Sequence, residues 1–430
     1  MTTAAVAGSK ATVEEKTGAY AWYALGLLAF VYVLNFLDRT LIYILFQPIK
    51  REMAFSDLQL ALLGTTAFAF FYTAMGIPFG RLADRVVRKN MIAAGLAVWS
   101  LFSGLTGFAT DFWTIFFCRV MVGVGEATLG PAALSLLSDY FPPRMRATVQ
   151  AIYSSGIAVG AGLAFFLGGL IEQNYGWRWA FYLLGFPGLV VALLVFGLRE
   201  QQRGRTETAP TMYTTKDWQI LFRSRPLLYL CLGYALFGLA ANNLSIWGPA
   251  FFTRVHHFNI ATIGFVGGIL SMAAGVPGTI LGGFAADRFR GLGRGGRMMF
   301  SSIAAFIAVP FWLVLIFSHS IPMLLLANLV LLGLSLMWLG PAAADVHDLA
   351  GPHLRGLGIG LYFLTVNIAA YGIGAPLIGK LNDWLGVAGA PGLMRISLLV
   401  CPVACSLAAV VLLLGSRNLN RQAHSDELWR

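Results

Sequence analysis

"GRLADR", residues 80–85, follows an apolar run of about twenty residues, and "GFAADR", residues 283–288, follows another one 203 positions later. A second pair agrees: "DYFPPRMRA" carries Arg146 as "DLAGPHLRG" carries Arg355, an offset of 209. Recurrence at this distance reads as an internal duplication, two halves of like orientation in one chain.

The composition says what the halves are made of. With 430 residues, 58% hydrophobic and 11% charged, the chain is too apolar for a water-soluble domain, about a quarter of which is charged. A helix needs about 20 apolar residues to cross about 30 Å of hydrocarbon. Such runs occur at 21–46, 58–79, 91–109, 112–137, 148–171, 179–198, 227–251, 261–284, 298–317, 322–343, 356–378 and 394–415. They lack the alternation of a membrane barrel. The reading is an all-α integral membrane protein with twelve transmembrane helices in two pseudo-symmetric six-helix bundles. These are an N-terminal bundle 21–198 and a C-terminal bundle 227–415, with tails 1–20 and 416–430 and a linker 199–226. In the linker, Trp218, Leu221 and Phe222 share a helical face and predict a short helix on the membrane surface.

No apolar core with a small-residue cleavage site occurs in the first twenty residues, so a signal peptide is not expected. With both termini cytoplasmic, 22 of the 30 Lys and Arg fall on the inner side and 6 on the outer, the bias that orients membrane proteins. The net charge of +11 is then an orientation signal answered by lipid headgroups and not by nucleic acid. Cys118, Cys231, Cys401 and Cys405 lie in apolar runs and read as packing residues, and the six His fall in loops or tails. No metal or cofactor is expected, a proton gradient being the driving force.

Several motifs carry a resemblance. "GRLADRVVRK" (80–89) resembles the loop between helices two and three of the major facilitator superfamily, with Val87 where that loop usually has Gly. "GWRWAFYLLGFPG" (176–188) resembles its sixth helix. "NFLDR" (35–39), "RVMVGVGEATLGPAALSLLSDYFPPRMRA" (119–147) and "IWGPAF" (246–251) resemble the Spinster branch, whose members export lysolipids and sphingosine phosphate. Gly-x-x-x-Gly, which lets helices approach closely in lipid, occurs at 76/80, 156/160, 264/268, 278/282 and 356/360. The resemblance places those helices at the interface between halves.

Asp38, Arg39, Arg119 and Glu126 are the charges well inside the spans, each costing about 2.5–3.5 kcal/mol at mid-bilayer. Neighbours on a helix point about 100° apart, so Asp38 and Arg39 need partners on other helices. Depth lets Asp38 meet Arg119. Glu126 lies near the middle, where a desolvated acid holds a proton unless a cation is close, and Arg39 or Arg119 is that cation. The expectation is that Arg39 and Arg119 bind an anionic headgroup, aided by Asn35, Asn242 and Asn243, while Asp38 and Glu126 exchange protons.

The resemblance implies an inner latch of Gly80, Asp84, Arg85, Arg88, Asp139 and Arg146, repeated as Asp287, Arg288 and Arg355, with Asp84 at the start of helix eleven. Arg81, Lys89, Arg290, Arg294 and Arg297 are assigned to orientation alone. The expected function is a proton-coupled transporter, not an enzyme, moving a lysolipid or sphingolipid-like amphiphile by alternating access. It is taken to be a monomer in a bacterial inner membrane, with membrane lipids as its partners. A small organic anion or drug-like solute is the alternative cargo. A receptor or membrane enzyme is disfavoured, because no nucleophile and base pair lies in the spans beyond the four charges and no P-loop occurs.

Overall fold

The computed structural model describes residues 18–142, 145–202 and 224–428. Among them, twelve helices are long and apolar enough to cross a membrane: α1 (Ala19–Ile44), α2 (Asp57–Gly76), α3 (Arg88–Phe108), α4 (Phe112–Tyr140), α5 (Thr148–Tyr175), α6 (Trp177–Phe196), α7 (Arg225–Val255), α8 (Ile260–Arg290), α9 (Gly296–Phe317), α10 (Ile321–Ala350), α11 (Leu357–Trp384) and α12 (Pro391–Arg421). The expected surface helix of the linker lies outside the described residues. Several helices outrun their apolar cores. A helix satisfies its own backbone, so it need not stop at the edge of hydrocarbon. α8 continues through Arg288 and Arg290, and α10 continues past residue 343 to include Asp345 and Asp348.

The face where α1 begins is here the proximal end, and the face where it finishes the distal end. Distally the halves are sealed. α5 and α8 cross at backbone contact: a Cβ on Gly264 would lie 2.3 Å from the Phe165 carbonyl, and one on Gly162 would lie 2.8 Å from that of Gly268. α2 and α11 meet as closely, since a Cβ on Gly379 would lie 2.7 Å from the Asp57 carbonyl. Proximally the helices part, and a Cβ on Gly76, Gly80, Gly283 or Gly360 would meet nothing within 4 Å.

This corrects the glycine expectation. Among the described glycines of these pairs, only 264 and 268 serve the seam between halves. Gly156 and Gly160 seat α1 within the N-terminal half, a Cβ on Gly160 falling 2.4 Å from the Val33 carbonyl, and Gly278 and Gly282 seat α10 within the C-terminal half. Small residues are needed wherever two backbones touch, and the spacing does not say which two. Val87 takes φ −64° and ψ 112°, extended backbone open to any residue, so this loop makes its turn without glycine there.

Two π-helical turns face each other across the seam, Leu62–Thr66 in α2 and Ile368–Gly374 in α11. Such turns leave a carbonyl without its usual helical partner. Here the Tyr371 carbonyl accepts from the hydroxyls of Thr65 and Thr66, at 2.8 and 3.2 Å.

Candidate functional site

Asp38, Arg119 and Glu126 are buried at 1%, 0% and 1% exposure, and the Arg39 side chain keeps 11%. Arg39 and not Arg119 holds Glu126: Nη2 and Nε donate to Oε2 at 2.9 and 3.2 Å. The guanidinium lies 4.5 Å from the Phe68 ring centre and 4.8 Å from those of Phe36 and Tyr72. That aromatic cage holds a cation with little water to solvate it. Glu126 Oε1 is buried without a partner.

The expected pair of Asp38 and Arg119 does not form. The Asp38 carboxylate accepts from Ser103 at 2.7 Å. The Arg119 guanidinium donates to the backbone carbonyls of Asp38 and Arg39 at 3.3 and 3.5 Å, and its Nε is buried and unpaired. Among the described residues, no carboxylate lies within ion-pairing distance of it. Similar depth lets two helices bring side chains near each other, but Asp38 faces α3 while the α1 backbone faces Arg119. Asn35 is buried one turn before Asp38. Asn243 bonds the Leu239 carbonyl and leaves Oδ1 buried and free. Asn242 accepts from the Tyr371 hydroxyl at 2.7 Å, so Tyr371 ties α2, α7 and α11 together.

The latch residues stand apart. Asp84, Arg85 and Arg288 are exposed and pair with no described residue, so Asp84 does not sit on helix eleven in this conformation. Gly80 borders open space. Arg88 is wholly buried and serves its own half, pairing with Asp139 and, at 2.8 Å, with Glu200. The side chain of Arg355 lies outside the described ones, and Arg146 begins the helical turn that leads into α5. Orientation alone does not account for three residues assigned to it. Lys89 donates to the Phe196 carbonyl at 3.0 Å, Arg290 pairs with Asp348 at 3.3 Å, and Arg297 pairs with Asp348 at 2.9 Å and Asp287 at 3.2 Å.

Sequence reasoning missed a second charged cluster, at the distal end. Asp57, 1% exposed, pairs with both Arg254 of α7 and Lys50. Arg254 Nε also donates to Gln47 at 2.8 Å. The Asp383 carboxylate of α11 accepts from the backbone N–H groups of Asp57 and Leu58 at 2.8 and 2.9 Å, capping the start of α2. The signal was present, an acid beside Ser56 and Gln59 in a capping box, but residues at span ends read as solvated.

Two like six-helix halves, sealed at one end, parted at the other, and holding a buried cation that no described carboxylate pairs, define a membrane transporter and not an enzyme. The chain belongs to the Major Facilitator Superfamily, matching it over residues 28–370 and again over 230–427. It is 29% identical to an MFS-type efflux pump of Mycolicibacterium smegmatis, over 93% of this chain and 94% of that one. It is 28% identical to the sphingosine-1-phosphate transporter SPNS2 of Danio rerio over 54% of this chain, spanning 47% of that longer protein. A solved bacterial homologue of the human lysosomal transporter Spinster, inward-facing and unoccupied, superposes with a TM-score of 0.83 at 26% identity, covering 93% of this chain and 98% of that one.

Proposed function

We propose that the chain carries an anionic amphiphile by alternating access coupled to protons, with Arg119 as the anion site and Glu126 as the proton carrier. The observation that carries this reading is Arg119 itself: a wholly buried guanidinium on two long carbonyl bonds, with Nε unpaired. A buried charge without a counter-ion is costly, and an anionic headgroup is what lowers that cost. Protonation of Glu126 would release Arg39 to the same headgroup, which links binding to protons. With the termini taken as cytoplasmic, on the excess of Lys and Arg at that side, the parted end opens inward in this reading.

A lipid-like cargo is favoured over a small anion by an apolar cavity of about 220 Å³ near the distal end, lined by the C-terminal half and by Phe165 of α5. Leu244, Pro249, Phe252, Ile263, Leu324 and Leu332 line it, a surface suited to a hydrocarbon chain. The near full-length likeness to an efflux pump keeps export of a drug-like solute as the second reading.

Reconstituted vesicles given a lysophospholipid, with an imposed pH gradient or at equal pH, test both parts. Glu126→Gln should retain exchange at equal pH while losing gradient-driven accumulation. Arg119→Lys should bind poorly, because an ammonium lacks the two-pronged geometry that suits phosphate. Accumulation by Glu126→Gln equal to that of the unaltered protein would overturn the coupling role, and full affinity in Arg119→Lys the anion geometry.

A further inference from the structure

Arg88 and Arg297 stand 209 positions apart, as do Asp139 and Asp348, the offset that also relates Arg146 to Arg355. The two proximal corners are therefore copies, each an arginine at the start of its helix gripping an aspartate on the next. Moved back by the same offset, Asp345 falls on Leu136, a fully buried core residue of the N-terminal half. One half thus carries an acid where its twin carries leucine.

Asp345 is 4% exposed, and its Oδ2 has no partner. Its cation is Arg297, whose Nη1 lies 3.8 Å away and also pairs with Asp348, while Nη2 and Nε hold Asp287. Arg290 of α8 pairs with Asp348 at 3.3 Å, and its charge also acts on Asp345. Tyr234 of α7 lies within electrostatic reach of Asp345, bonded to Ser301 of α9 at 2.9 Å and edge-on to Tyr362 of α11. Three carboxylates therefore share two guanidiniums, and the most buried of the three is the least satisfied.

We propose that Asp345 is a second proton-binding site, separate from Glu126, and that its charge sets how firmly Arg297 holds Asp287. With Asp345 ionised, these three acids outnumber the two guanidiniums that pair them, and the exposed Asp287 is free to leave for cations of the other half as the proximal end closes. With Asp345 protonated, charges balance and Asp287 stays on Arg297, which keeps the proximal end open. Its part in transport rests on the coupling reading above, but its effect on conformation does not.

The test is a distance across the proximal end, between spin labels at Asn90→Cys and Leu292→Cys, both exposed; the four native cysteines are buried. In lipid nanodiscs without substrate, the ratio of open to closed populations should rise at least about fivefold from about pH 9 to about pH 5, the low end of usual coupling energies. Asp345→Glu should keep this response. Asp345→Asn and Asp345→Leu should stay open at both pH values. An unaltered pH response in those two neutral variants overturns the proposal. So does its disappearance in Glu126→Gln, which would assign the titration to Glu126. Failure of Glu126→Gln to lose accumulation, with the Asp345 response intact, would instead overturn only the coupling reading.

Discussion

The two ends of the helical run containing α2 carry one aspartate each, and the two differ in every respect. Asp57 begins the run, buried, paired with Lys50 and Arg254 and pressed against α11. Asp84 follows its other end at Ala83, exposed and pairing with no described residue. Between described residues, every hydrogen bond or ion pair crossing the seam lies at the distal cluster or at the Tyr371 carbonyl. The run therefore has its distal aspartate engaged across the seam, while its proximal one, expected as part of a latch, pairs with no described residue here. If the proximal one engages when that end closes, energy made at one end is lost at the other, which keeps both states within reach of a ligand's differential affinity.

The largest effect is expected from breaking the engaged distal cluster. Arg254→Ala removes the cation contributed by α7 and leaves Asp57 to Lys50 alone. Leaving a buried charge wholly unpaired costs about 3–5 kcal/mol, an upper bound here because Lys50 remains, and about 5.5 kcal/mol carries an equilibrium from 1:99 to 99:1. Spin labels at Trp113→Cys and Met323→Cys, exposed positions at the distal starts of α4 and α10, should move apart in most molecules. A distance distribution unchanged from that of the unaltered protein would show that glycine packing alone seals this end.

A smaller shift is expected at Thr65→Val. The substitution deletes the 2.8 Å bond that crosses the seam to the Tyr371 carbonyl and leaves the one from Thr66 in place. The net worth of one hydrogen bond, about 0.5–1.5 kcal/mol, predicts a few-fold change in the same distal distances. A change as large as that in Arg254→Ala would make the Tyr371 carbonyl, and not the charged cluster, the principal tie.

The halves, the twelve helices and the four mid-depth charges were legible because apolar length and the price of burying charge leave few alternatives. Pairing was less legible. Asp38 and Arg119 lie at like depth, yet rotation about α1 turns the carboxylate to Ser103 and only the backbone to Arg119. Sequence position fixes depth to about a turn, whereas a hydrogen bond needs the azimuth too, and azimuth is set by packing. Asp57, Arg254 and Asp345 were hidden for another reason. They lie at or beyond the ends of the apolar runs, where hydropathy cannot separate a solvated charge from one buried by the next helix. The 209-residue repeat held the missing signal: Arg297 copies Arg88, and it belonged with the latch residues from the start.

The smallest effect is expected at the proximal aspartate, and it has a direction. Asp84→Asn should leave the present conformation as it is, since the carboxylate pairs with no described residue here and its loss removes no described interaction. If Asp84 engages the start of α11 when the proximal end closes, the substitution weakens only that closed state. A charge at a helix start is worth about 0.3–1 kcal/mol, so the open population should gain less than about tenfold. The labels at Asn90→Cys and Leu292→Cys would record this as loss of the short-distance population, with the distal distances shifting inward to match. A gain in the closed population would reverse the sign and remove Asp84 from the latch. No change at either end would mean that proximal closure rests on the arginines and the glycine faces, with the two ends of α2 unequal partners and not alternatives.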